Sequence, residues 1–190
     1  MNVRFMLLFL LFVNAVQAKP AIEEHFEFYD IYPVSKEDIR SEIQQRTPII
    51  SQGSRFDGRT LWQVAWQYYR KKSDNLCHIT RNEITLKVLY TMPAIAPKFT
   101  VKPKVRDAFD SYYQALLNHE KGHKKIGIQA ASAIEQALLN FKSFSHCQGL
   151  DTAVNKAITA IINNHHRQDE DYDRQTEHGK LQGVSIDNPL

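Results

Sequence analysis

The alternation of apolar and polar positions divides the chain into a strand-rich first half and a helical second half. Residues 25–33, "HFEFYDIYP", are dense in aromatics and open as a strand. Ser35 precedes Asp38 by three positions, a capping-box-like start, and a short helix to about Gln45 would bury Ile39 and Ile43. Residues 51–60, "SQGSRFDGRT", carry turn chemistry. Trp62, Val64, Trp66 and Tyr68 then alternate with Gln63, Ala65 and Gln67. Ile84, Leu86, Val88, Tyr90 and Met92 alternate in the same way with Thr85, Lys87 and Thr91. These two runs flank the turn "KKSDN" and predict an antiparallel pair of long strands. Residues 93–103 hold three prolines, so a loop is expected there rather than a central strand or a helix interior.

From about Lys104 to Phe141 the period becomes helical. Phe109, Tyr112, Leu116, His119, His123, Ala130, Ile134, Ala137 and Phe141 recur at spacings of three, four or seven. "SFSHCQG" interrupts the pattern. A second helix then carries Leu150, Val154, Ala157, Ile158, Ile161 and Ile162 on one face, a stripe that runs on through His165. The expected fold is α+β: a small antiparallel sheet with an N-terminal helix, packed on a long helix and a second, C-terminal helix.

The first 18 residues stand apart from this pattern. Arg4 precedes the apolar run Phe5–Val13, and Val16-Gln17-Ala18 is a small-residue cleavage site. This is the pattern of a signal peptide cut after Ala18, leaving one domain over residues 19–190 and an exported, periplasmic or secreted protein. The alternative is an uncleaved membrane anchor, although the apolar run is short for a bilayer. Without Arg4 the chain has 23 basic and 21 acidic residues, a balance that gives no reason to expect a nucleic-acid partner. Nothing after residue 18 is long and apolar enough to span a membrane. Export favours pairing of Cys77 with Cys147 as a disulfide. Their neighbours, in "CH" and "HC", offer the competing reading of a structural zinc site with two Cys and two His.

The strongest chemical signal is "HEKGH", His119-Glu120-Lys121-Gly122-His123. Histidines four apart on a helix share one face and can hold a zinc ion together. Glu120 lies about 100° round from His119, beside such an ion rather than on it. There it can act as the base that takes a proton from water and returns it to a leaving amine. Gly122, mid-helix, costs about 1 kcal/mol relative to Ala and hints at function or close packing. Ile126 and Gln129 stand where the metzincin extension needs Gly and His, so that class is excluded. The third ligand must come from the second helix or beyond, where His165, His166, Asp169, Glu170, Asp173, Glu177 and His178 are available. Tyr172, Asp173 and Thr176 share a helical face, and His178-Gly179 reads as a helix end.

"FYDIYP", "DGRTLWQVAWQY", "CHITRNEITLKVLYTMP", "LNHEKGH", Cys147 and "YDRQTEHGKLQG" together resemble a family of bacterial secreted proteins, long described as a domain of unknown function and as predicted secreted zinc-dependent proteases. Val184 departs from that pattern, where a smaller residue is expected. The resemblance implies a zincin-like fold and zinc metallopeptidase activity on a peptide or protein substrate. It also implies His178 as third ligand beside His119 and His123, with Asp173 as orienting group or alternative ligand. Tyr172 is then a catalytic candidate that steadies a developing oxyanion, or else a core aromatic. Two other readings stay open: a periplasmic zinc-binding or envelope-assembly module without turnover, and a hydrolase of peptidoglycan cross-links.

Overall fold

The computed structural model describes residues 19–51 and 53–186. The leader sequence read at residues 1–18 lies outside them. The fold is α+β. Strand β1 (Ala21–Ile31) leads into helix α1 (Asp38–Arg46), and two short strands, β2 (Ile50–Ser51) and β3 (Ser54–Arg55), form a small ribbon. Strands β4 (Arg59–Ser73) and β5 (Leu76–Ile95) follow, then helices α2 (Pro103–Leu139) and α3 (Cys147–Thr176) and a 3₁₀ turn at Lys180–Gln182.

Local chemistry explains the boundaries. Asp38 N–H donates to Ser35 Oγ at 3.3 Å and Ser35 N–H donates to the Asp38 carboxylate at 3.0 Å, a reciprocal cap on α1. Asp74 and Asn75 both have positive φ, 51° and 61°, the backbone of a two-residue type I′ hairpin turn between β4 and β5. Pro103 opens α2, where its missing N–H costs nothing.

The strand order is β1-β5-β4. β4 and β5 pair antiparallel, as their alternation predicts, but β1 pairs with β5 in parallel, from Ala21 opposite Thr85 to Ile31 opposite Ile95. The sheet is therefore mixed. β5 also continues through Pro93 to Ile95, where the proline content suggested a loop. The reason lies in the register. β4 accompanies β5 only as far as Thr91, so Pro93 has β1 alone beside it and its missing N–H breaks no two-sided ladder.

One face of the sheet packs beneath α2 and α3. Trp62, Val64, Leu86, Val88, Tyr90 and Met92 meet Phe109, Tyr112, Leu116, Ile134, Val154 and Ile158 in the core. Cys77 and Cys147 are bonded with a Cα–Cα distance of 5.1 Å, and Cys77 also exchanges two backbone hydrogen bonds with Phe144. The start of α3 is thus fixed to the start of β5. Both cysteines are used by the disulfide, which rules out the two-Cys, two-His alternative, and His146 instead caps α3 by accepting from Gly149 N–H at 3.0 Å. No helix among the described residues is long and apolar enough to cross a membrane.

Candidate metal centre

α2 and α3 face one another, and each presents a pair of polar groups four residues apart: His119 and His123 on α2, Asp169 and Asp173 on α3. Both imidazoles are buried. Their Nε2 atoms stand 3.4 Å apart, and Asp173 Oδ1 lies 3.2 Å from that of His119 and 3.1 Å from that of His123. Three donors about 2.1 Å from one tetrahedral ion stand about 3.4 Å apart, so the triangle has the dimensions of a metal site. His119, His123 and Asp173 form a group that could hold a metal ion.

The far nitrogens support this. His119 Nδ1 lies 2.9 Å from Gln182 Oε1, and His123 Nδ1 lies 2.9 Å from Asp169 Oδ1. Both partners are acceptors, so each Nδ1 carries the hydrogen and each Nε2 is left with a lone pair. Two lone pairs and a carboxylate oxygen then converge on one point. Such an arrangement is repulsive until a cation or a proton enters it, and ligand histidines are commonly oriented by such partners.

Without metal the proton fills that role. Burial opposes charge on His123, but the carboxylates of Asp169 and Asp173 outweigh it and lift its pKa to about 10. Asp173 is held well below the ordinary carboxylate range, because hydrogen bonds from His119 and His123 overcome its burial.

Glu120 is buried beside this cluster at 3% exposure. Thr60 Oγ1 donates to its Oε2 at 2.7 Å. A Cβ added to Gly58 would meet Glu120 Oε1 at 2.9 Å, so the glycine leaves room for the carboxylate. Burial raises the Glu120 pKa, while the Thr60 hydrogen bond and the two histidines pull against that rise. The loop before Thr60 is itself anchored: Asp57 accepts from the hydroxyl of Tyr112 and the amide of Gln44, and its carbonyl accepts from Tyr29 at 2.5 Å.

Tyr172 packs between the helices. Its ring stacks on His119 with centroids 5.1 Å apart, and its hydroxyl reaches the His119 carbonyl and Gln182 Oε1, each at 3.1 Å. The glycine of "HEKGH" is explained by this contact, since a Cβ at Gly122 would lie 2.1 Å from the Tyr172 hydroxyl oxygen. Gly179, with φ of 83°, lets the turn after α3 close over His119, where a Cβ would meet His119 Cγ at 2.8 Å.

His178 stands apart from the triangle. Its side chain is 58% exposed, its Nδ1 lies 3.6 Å from Asp173 Oδ1, and its ring rests against Phe56. The structure therefore brings Asp173, the alternative ligand, into the converging set and leaves His178 at the rim. His165 is spent on the Ile161 carbonyl at 2.8 Å, and His166 stacks on Trp62. Glu170 and Glu177 are not part of the group. No local sequence signal marks Thr60 or Gln182, and Asp169, in the acidic run 169–171, reads from sequence as a candidate ligand or a solvated face rather than as the partner of His123 Nδ1.

The family model described as "Bacterial protein of unknown function (DUF922)" matches residues 26–179. No curated protein and no solved structure matches the chain.

Proposed function

The chain belongs to this DUF922 family of bacterial proteins of unknown function, and within it we propose an exported, zincin-like zinc hydrolase of peptide bonds. The observation that carries the reading is the triangle of His119, His123 and Asp173, with the Glu120 carboxylate held beside it by Thr60. Two nitrogens and one carboxylate oxygen suit zinc and leave a fourth position open. A zinc ion held there supplies Lewis acidity, polarising a carbonyl and making a water more acidic.

The protein groups do the rest. Gln182 and Asp169 fix the imidazole tautomers and keep both lone pairs turned inward. Glu120 accepts the proton of an attacking water and delivers it to the departing amine. In the metal-free protein burial raises its pKa, which opposes the pull of a nearby cation on the carboxylate. Thr60 holds the Glu120 carboxylate in place through Oε2. The bonds of Tyr172 support a positioning role through His119, because its hydroxyl is turned to the His119 carbonyl and Gln182. β1 and β4 each have one edge unpaired among the described residues, and an extended peptide can add to such an edge as a further strand. The leader-like sequence and the Cys77–Cys147 disulfide support export.

The test is elemental analysis together with cleavage of unfolded protein and of cross-linked peptidoglycan fragments. Wild-type and Glu120→Gln proteins are expected to hold one equivalent of zinc each, with only the wild type cutting. Equal cleavage by Glu120→Gln would remove the mechanism. Zinc without turnover on any probe would favour a binding or assembly module, and cleavage of the fragments alone would move the substrate to peptidoglycan.

A further inference from the structure

A second buried carboxylate lies on α2, far from the metal centre. Glu135 is 8% exposed, and its carboxylate has no hydrogen bond or ion pair among the described residues. No fully enclosed side-chain oxygen lacks a partner, so the Glu135 carboxylate faces open cavity space rather than packed atoms. It lines a cavity of about 390 Å³ between α2 and the start of β1. Ile22, Leu86, Ile128 and Ala131 give that cavity mostly apolar walls. A carboxylate in such surroundings is costly unless a cation meets it.

Among the described residues Lys19 is the one basic residue lining the cavity, and its ammonium makes no ion pair with any of them. Its backbone nitrogen, however, belongs to the Ala18–Lys19 bond at which the sequence predicts cleavage. We propose that the new N-terminus of the mature chain docks in this cavity, with the α-ammonium of Lys19 as the partner of Glu135. Signal peptidase hydrolyses the Ala18–Lys19 amide with one water, leaving the Ala18 carboxylate on the leader and an amine on Lys19. That amine is protonated at neutral pH, its ordinary pKa being about 8. Lys19, Pro20 and Glu135 line the same cavity, a sphere of whose volume is about 9 Å across, and two residues of chain reach about 7 Å, so a turn of Lys19 and Pro20 within it carries the amine toward Glu135. In the uncut chain the same nitrogen is a neutral amide. The charge that satisfies Glu135 therefore exists only after export, and it ties β1 to α2 at that moment.

The inference rests on the export part of the proposed function and is independent of hydrolysis. Intact mass and N-terminal sequencing of protein recovered from an exporting host decide the first point, with Lys19 expected as first residue. An uncut chain, or a cut at another bond, overturns both the docking and the predicted site. The docking itself is read by thermal unfolding of chains to Leu190, released from a fusion to begin at Lys19 or at Val16. Each is made with Glu135 and with Glu135→Gln. The Lys19 form should melt about 3–6 °C higher than the Val16 form, and Glu135→Gln should erase that difference. Lys19→Gln should keep it. Equal melting of the two forms, a difference that survives Glu135→Gln, or one lost in Lys19→Gln would each overturn the proposal.

Discussion

Replacing Gly122 by alanine separates helix propensity from packing at the metal centre. In an exposed helix interior this change stabilises by about 1 kcal/mol. Here the added Cβ would fall 2.1 Å from the Tyr172 hydroxyl oxygen, 2.2 Å from Cζ and 2.6 Å from Cε1. The ring cannot swing away cheaply, because it stacks on His119 and holds two hydrogen bonds. Overpacking of this kind costs about 1–3 kcal/mol, and each lost hydrogen bond about 1 kcal/mol. The net expectation, with both hydrogen bonds lost and the propensity gain subtracted, is a loss of about 2–4 kcal/mol in urea unfolding of the metal-free protein. Tyr172 is next to Asp173, so moving it also disturbs the ligand triangle, and zinc affinity against a competing chelator should fall about 10–100-fold. The decisive background is Tyr172→Ala. With the ring gone, Gly122→Ala should reverse sign and stabilise by about 1 kcal/mol. If Gly122→Ala stabilises the wild type and leaves zinc affinity unchanged, the account of this glycine is wrong.

Asp173→Ala should abolish zinc retention while His178→Ala changes affinity less than about threefold, since a residue outside the ligand set moves affinity little; the opposite ranking would make His178 the third ligand. Thr60→Val should keep one equivalent of zinc and shift the acid limb of the pH–rate profile upward, because Glu120 loses the donor that opposes its raised pKa; an unmoved limb would leave Thr60 without its positioning role. Removing the disulfide as Cys77→Ala with Cys147→Ala should cost about 4 kcal/mol of unfolding free energy on the loop-entropy account, and a change under about 1 kcal/mol would count against that account. For the metal-free protein the pH dependence has a definite sign. The His123 contribution is full below its ordinary 6.5 and fades as pH rises through about 10, whereas that of Asp173 is present above its ordinary 3.8 and lost below it. Its melting temperature should therefore be highest between those two ordinary values, and zinc affinity should climb from neutral pH upward as the His123 proton is given up; affinity that falls over that range would contradict the assignment.

The long β4–β5 hairpin was legible because its residues obey one period over many positions and its turn carries Asp and Asn where φ must be positive. The helices were legible for the same reason, with their own period. β1 was found as a strand but not as a parallel one. Its side chains are exposed on both faces over most of its length, so no alternation records which neighbour it will meet. Pro93 misled because the general rule against proline in a sheet presumes neighbours on both sides, and here β4 ends first.

The metal centre divides along the same line between local and distant information. "HEKGH" fixes two ligands and the base because a helix puts positions 119, 120 and 123 in a known relation. The third ligand depends on the register of α3 against α2, which no local rule states. The register was nevertheless written in α3. Its core stripe passes through Val154, Ile158 and His165, and two further steps of four reach Asp169 and Asp173. A buried stripe that turns acidic opposite a buried stripe that turns to histidine is what a metal site between two helices requires. His178 lies past the end of that stripe, where the chain has already left the helix with φ of 52°. Thr60 and Gln182 could not be inferred in this way. Each reaches the site across about 60 residues of sequence, and only the closed fold makes them neighbours of Glu120 and His119.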